Sequence, residues 1–552
     1  MSNKLPVSEV NLIDRLIADQ QNMTAVERFA QKHERSDFHA QGRHYEDLIP
    51  LSKPRKGQQY AFAVNLDQCT GCKACVSACH SLNGLEEEET WRDVGLIFGG
   101  HRIEPYQQTV TTACHHCLEP GCLDGCPVKA YEKDSDTGIV RHLDDQCIGC
   151  QYCTMKCPYD VPKYSKKLGI VRKCDMCHER LAVGEAPACV QACPHEAISI
   201  RLVDIAEVSA AATPDSSLLP GTFTSSYTKP TTVYTTTKPI PSDAHPADAH
   251  RLHLEHAHWP LLIMLVLTQG AVGLFLALAV SCLFFPEFYT TAGFPLAATG
   301  FGILNVGLIA AIFHLGRPLG AWRFFLGLRT SWMSREILAF SIFAGVASGV
   351  LFSIALSDSF VLHFLPPQIA TLLSHLPLSL LAKGATLTAA FLGLLAVFTS
   401  AMIYIDTRRP FWKPALSFTR FYGAVLTLGA VSTTSIAALL HLTQALNAAI
   451  VCTILFQTLF FVYEISSHAN ALQDEEDENH LSAQMLHQLL PWLIPVRAVS
   501  VILSALMLIA VLIGSIPVLS VFLAVALILS AQLLERFAYF TTVRAPHMPR
   551  GI

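Results

Sequence analysis

Apolar and polar residues are distributed unevenly along this chain, and the break falls near Trp259. Downstream of it, eight apolar stretches follow one another, near residues 260–285, 294–315, 336–356, 378–404, 419–441, 444–465, 493–514 and 516–535. Each is about 20 residues or longer, the length a helix needs to cross a hydrocarbon core. Core helices of soluble proteins are seldom so long and so uniformly apolar. The pattern therefore predicts an all-α, eight-helix transmembrane bundle over residues 256–552. Upstream the pattern is mixed. Short strand-like runs, "YAFAVNL", "GIVRHL" and "AISIRLV", punctuate residues 58–205. Residues 1–57 are polar, with Leu12, Leu16 and Ile17, then Val26 and Phe29, at helical spacing. They predict one or two short amphipathic helices that dock on a partner or pack on the next domain. Residues 206–255 turn Ser/Thr/Pro-rich, as in "TKPTTVYTTTKPIPSDAHPADAH", and read as an extended linker.

Composition adds one strong constraint. The formal net charge of −5 is too weak to name a partner, and no basic tract interleaved with aromatics points to nucleic acid. The cysteines are another matter: sixteen of the eighteen fall between Cys69 and Cys193. A secreted disulfide framework fits poorly. The stretch "MSNKLPVSEVNLIDRLIADQ" lacks the apolar core of a signal peptide, and thiols two residues apart make poor disulfide partners. Metal is the better account.

The sixteen form four groups. The first is Cys69, Cys72, Cys75 and Cys79; the second Cys114, Cys117, Cys122 and Cys126; the third Cys147, Cys150, Cys153 and Cys157; the fourth Cys174, Cys177, Cys189 and Cys193. The first and third share the gaps of the bacterial ferredoxin run; the second and fourth widen one gap. Proline follows every group but the first, where His80 stands. Three thiolates on one tight loop reach three irons of a cubane, while the next cysteine points away and serves the other cluster of a pair. Zinc, the competing metal, is usually held by two separate pairs rather than runs of four. Four [4Fe–4S] clusters suit a wire, because electrons tunnel only over short gaps and a row of centres bridges a long one.

The stretches "CTGCKACVSACH", "CHHCLEPGCLDGCP", "CIGCQYCTMKCPYDVPKY" and "RKCDMCHERLAVGEAPACVQACPHEAISI" resemble the iron–sulfur subunit of dimethyl sulfoxide reductase and its relatives. The resemblance implies an α+β, bis-ferredoxin-like domain with four [4Fe–4S] clusters, working beside a molybdopterin-containing catalytic subunit. It also implies a pairing of first group with fourth and second with third. One cluster would fall to Cys69, Cys72, Cys75 and Cys193, and another to Cys174, Cys177, Cys189 and Cys79. Cys114, Cys117, Cys122 and Cys157 would hold a third, and Cys147, Cys150, Cys153 and Cys126 the fourth.

The membrane half, with "HWPLLIMLVLTQG" and "FHLGRPLGAWRFFLGLRTSWMSREI", resembles the anchor subunit of the same enzymes. In that family the two are separate polypeptides; here they are fused. The resemblance implies exchange of electrons with a quinol or quinone, menaquinone or ubiquinone, from the membrane pool. It places the quinol-site histidine and carboxylate at His314 and Glu336, and its arginine at Gly320, with Arg317 or Arg323 as substitutes. Read on their own, His314 is equally an interfacial packing residue and Glu336 a helix N-terminal charge. Cys282 and Cys452 read as packing residues, and "DEEDE" at 474–478 as a solvated loop. With eight spans, all the basic residues of 256–552 but Lys383 fall on the N-terminal side. The positive-inside rule then predicts a multi-pass protein of the inner (cytoplasmic) membrane with its iron–sulfur domain in the cytoplasm. A self-contained ferredoxin:quinone oxidoreductase without a molybdenum partner is the alternative function.

Overall fold

The structure, a computed structural model, describes residues 46–101, 104–357 and 377–550. The amphipathic helices expected within residues 1–45 lie outside the described residues. The N-terminal half is built on four small sheets. Strand β1 (Gln58–Asn65) is the "YAFAVNL" run, buried along most of its length. It pairs antiparallel with β8 (Ile198–Asp204), with Phe62 opposite Ile200 and Val64 opposite Ile198. Strands β2 (Asp93–His101) and β3 (Glu104–Thr112) form a long antiparallel pair. Two three-residue hairpins, β4–β5 (Tyr131–Lys133, Val140–His142) and β6–β7 (Lys163–Ser165, Ile170–Arg172), separate the second, third and fourth cysteine groups. Short helices carry the later cysteines of each group: Ala74–Asn83, Gly121–Gly125, Tyr152–Lys156 and Ala188–Gln191.

The segment expected as an extended linker is instead part of this domain. β9 (Val233–Thr235) joins β1 in parallel, and β10 (His245–Pro246) pairs with β2. Just ahead of β9 the backbone bonds the second cysteine loop, Leu118 N to Lys229 O at 2.9 Å and Thr231 N to His115 O at 3.2 Å. Thr228, Thr231 and Thr232 are buried. Its composition could not form a core, but the neighbouring loops supply hydrogen-bond partners for its backbone, so it lies down on them.

Eight helices follow, each long and apolar enough to cross a membrane: Trp259–Phe284, Pro286–Ile312, Trp332–Ser357, Leu378–Ile405, Pro414–Leu439, Thr443–Gln473, Leu493–Leu512 and Ser520–Thr541. The first span is the axis of the bundle, 72% buried against 22% for the third. It packs on the second, fourth and fifth. Gly273 and Gly429 let the first and fifth spans touch backbone to backbone; a Cβ at 273 would meet Val425 O at 2.2 Å. Small residues are the usual means of such approach in lipid, where no hydrophobic force draws helices together. Large side chains such as Val499, Leu506 and Leu523 face outward, as lipid requires.

The two halves share one core. Cys126, Cys147, Cys150 and Cys153 pack in the same cluster of buried residues as Tyr404, Phe421 and Tyr539 of the bundle. Lys156 forms an ion pair of 2.6 Å with Asp406, and Tyr152 Oη donates to Ile403 O at 3.2 Å. After the eighth span the chain turns back. Met548 is buried in the iron–sulfur domain, and Arg550 pairs with Asp160.

Candidate functional site

All eighteen cysteines are free. In the first Cys-x-x-Cys loop of each group the residue before the second cysteine is left-handed: Gly71 at φ 75°, His116 at 41°, Gly149 at 70° and Met176 at 60°. That region is costly for any residue but glycine. Four repeats of it mean the turn is required, and its effect is to aim both thiols of the loop at one hollow. Backbone N–H groups then point at sulfur: Ala130 N to Cys126 Sγ at 3.2 Å, Ala197 N to Cys193 Sγ at 3.3 Å, Gly149 N to Cys147 Sγ and Met176 N to Cys174 Sγ at 3.4 Å. Such bonds favour thiolates and help set the potential of a cluster they ligate.

The structure brings the sixteen thiols into four sets, each drawn from two groups. Cys69, Cys72, Cys75 and Cys193 line one cavity, and Cys114, Cys117, Cys122 and Cys157 another. Cys79 has Cys177 and Cys189 as electrostatic neighbours, and Cys174 has Cys79 and Cys189. Cys126, Cys147, Cys150 and Cys153 neighbour one another. Burial holds the Cys79 thiol up at about 12. A buried thiol in a set of four is a donor that ionises only when a cation takes it. Among the described residues no three His, Cys, Asp or Glu side chains converge at the spacing of a single ion. Four thiols around a hollow fit a [4Fe–4S] cubane.

The sets form a row. Cys72 is exposed and Cys69 and Cys193 half-buried, so the first set opens to solvent. Cys75 neighbours Cys189 of the second. Buried Lys173 links the second and third, its Nζ 2.8 Å from Cys174 O and 3.6 Å from Cys114 Sγ. Buried Tyr131 lies between Cys122 of the third and Cys126 and Cys153 of the fourth. Every cysteine of the fourth set is buried, and the bundle covers it. Neither Lys173 nor Tyr131 carries a motif that would single it out in the sequence.

The cover is made by the loop after the second span and the start of the third. Arg317 N donates to Ile148 O at 3.0 Å; Ser331 Oγ and Ser334 Oγ donate to Gly125 O and Pro127 O at 2.7 and 3.4 Å. His314 Nε2 is 3.2 Å from Cys150 O. A carbonyl only accepts, so Nε2 carries the hydrogen and Nδ1 is left as acceptor. Burial pushes the His314 imidazole below the usual range. Glu336 is buried one turn into the third span. Its carboxyl faces the Ser400 hydroxyl of the fourth span, and among the described residues neither Oε1 nor that hydroxyl has any other hydrogen-bond partner. His314 thus reaches the Cys150 carbonyl from the loop after the second span, and Glu336 stands within the third span near Tyr152, without a hydrogen bond between the two among the described residues.

The two arginines expected near the quinol site make bonds across the seam. Arg317 donates to Asp144 O at 2.9 Å and Leu168 O at 3.3 Å, and Arg323 to Asp145 O at 2.6 Å. Both guanidiniums grip the iron–sulfur domain rather than a free space in the membrane. Position 320 has no room for an arginine without displacement: a Cβ there would already sit 2.9 Å from Ile148 Cγ2.

The fold and the cysteine sets define a membrane-anchored iron–sulfur electron-transfer protein. Comparison with known proteins narrows the class. Residues 252–542 match the family of the DMSO reductase anchor subunit (DmsC), and residues 106–202 match the 4Fe-4S dicluster domain. The chain belongs to the DMSO reductase anchor subunit family, with an iron–sulfur polypeptide of the same enzymes joined in front of it. The front part is 37% identical over 158 residues to the B polypeptide of anaerobic dimethyl sulfoxide reductase from Haemophilus influenzae, covering 27% of this protein and 76% of that one. It is 38% identical over 154 residues to the corresponding B polypeptide of Escherichia coli K12, covering 26% and 75%. It is also 36% identical over 156 residues to the hydrogenase-2 operon protein HybA of E. coli O157:H7, covering 24% and 48%. The protein is therefore a multi-pass iron–sulfur electron-transfer subunit and anchor of a DMSO-reductase-type or hydrogenase-type complex, and it binds 4Fe-4S clusters.

Proposed function

We propose that this chain relays electrons between membrane quinol or quinone and a molybdopterin-containing catalytic subunit, through four [4Fe–4S] clusters held by the four cysteine sets. The observation that carries the reading is the gradient along the row, from exposed Cys72 to a set buried beneath the bundle. A conductor needs one end at a partner and the other at the membrane. Bound in the hollows, the clusters supply one-electron carriers. The chain's own residues do the rest. Backbone N–H groups and Lys173 stabilise negative charge along the row. Glu336, which faces only the Ser400 hydroxyl among the described residues, accepts a hydrogen bond and then a proton from a quinol hydroxyl. His314 offers Nδ1 to the other end of the headgroup.

On this reading the catalytic subunit docks at the exposed end, around Cys72, and the bundle sits in the inner membrane with the iron–sulfur domain on the cytoplasmic face. The deciding experiment replaces His314 with alanine in the purified complex. Oxidation of a quinol analogue is expected to fall at least tenfold with iron content unchanged. Unaltered quinol kinetics at full iron content would refute the assignment. Co-purification of a large molybdenum-containing subunit, and protease access to residues 58–205 in vesicles of known sidedness, test the partner and the orientation.

A further inference from the structure

Oxidising one quinol breaks two O–H bonds and releases two protons with two electrons. Where His314 meets the iron–sulfur domain, backbone packs on backbone. His314 lies against the Cys150 carbonyl, and Gly316 meets Gly169 and Gly149 backbone to backbone. The protons need a way out, and beside His314 stands a row of imidazoles. The His314 ring stands edge-on to His258, centroids 4.9 Å apart, and His258 stands edge-on to His256 at 5.3 Å. His256 and His258 line a cavity of about 350 Å³ between the two halves of the protein, together with His547, Asp248 and Glu255. That is room for several waters, on a wall with donors and acceptors to order them.

Building on the quinol reading above, we infer that His258 and His256 carry quinol protons into this cavity, so that protons and electrons part beside His314. His258 is the residue before the first span, and its carbonyl accepts Leu261 N at 3.0 Å and Leu262 N at 3.1 Å. The first helical turn therefore fixes its backbone, while its ring is held between two other imidazoles. His256 is exposed at the cavity wall and gives the relay its outlet. Buried Arg409 lines the same cavity, its Nε without a hydrogen-bond partner among the described residues. It stays charged and repels a resting imidazolium, so protons pass through rather than accumulate. For each quinol the hydroxyl proton taken at His314 passes to water in the cavity and the other is taken by Glu336, the two electrons leave toward the cysteines, and quinone is the product.

The test is chemical rescue in the purified holo complex, with a soluble quinol analogue as donor. For His258→Ala, kcat for quinol oxidation is expected to fall roughly 10²-fold, the lower end of what a positioned proton carrier contributes. Iron content and the KM for the analogue should hold, and added imidazole should recover several-fold of the loss. His256→Ala, in the segment before the first span, should show a smaller drop and the same rescue. Wild-type turnover in both variants, or slow turnover that imidazole does not lift, overturns the relay while leaving the quinol reading intact. Failure of the unmodified complex to oxidise any quinol analogue overturns both.

Discussion

Gly316 of the membrane half lies so close to Gly169 of the iron–sulfur domain that a Cβ at position 316 would sit 2.1 Å from the Gly169 carbonyl oxygen. The neighbouring Gly149, at φ 70°, makes the same contact from the cysteine loop. Three glycines thus let two backbones meet at the seam where the account has electrons cross. Gly316→Ala should push the halves apart while leaving each folded. Reduction of the clusters by dithionite should persist, and reduction by a quinol analogue should slow at least tenfold. Stopped-flow absorbance at the cluster bands separates the two.

Arg317 should behave as a docking residue. Its two side-chain bonds to Asp144 and Leu168 carbonyls hold the seam. Arg317→Ala should cost about 1–3 kcal/mol of interdomain stability, as expected for hydrogen bonds from a charged donor. Hydrogen exchange over residues 144–150 and 165–170 should quicken, with the KM for quinol unchanged. A raised KM with unaltered exchange would return the residue to the quinol site.

Glu336→Gln keeps the shape of the side chain and removes its basicity. Quinol oxidation should fall by roughly 10²–10⁴, the usual contribution of a general base, with the iron content of the wild type. Ser400→Ala, which removes the facing hydroxyl, should have a smaller effect. Steady-state kinetics on both variants checks the order.

Lys173 places a positive charge between the second and third cysteine sets. A cation favours the added electron, so its removal makes reduction harder. Lys173→Met should shift the potentials of two clusters to more negative values by roughly tens of millivolts, within the range that charge and hydrogen bonds tune, and leave the other two in place. A redox titration followed by EPR reads this directly. Equal shifts in all four would mean a general change of structure.

Much of this architecture is legible in the sequence, for physical reasons. A membrane span has to be long and apolar whatever it packs against, so all eight stand out; only their ends differ, as where Trp332 rather than residue 336 begins the third. Cysteine gaps follow from loop geometry, so the groups are plain. What escapes depends on contacts between distant segments. The Ser/Thr/Pro stretch looks like a linker because its partners, His115 and β1, lie more than a hundred residues away. Arg317 looks free because nothing local shows that Asp144 and Leu168 face it. Lys173 and His258 sit among ordinary neighbours in the sequence and gain meaning only from what the fold sets beside them.

The central claim is that the set of Cys126, Cys147, Cys150 and Cys153 is where membrane electrons enter or leave the row. Cys147→Ser tests it most directly, with EPR of anaerobic membranes reduced either by dithionite or by a quinol analogue. The account predicts that dithionite still reduces the clusters of the other three sets in the variant, while the quinol analogue reduces none of them. Quinol-driven reduction of those clusters at the wild-type rate would contradict it.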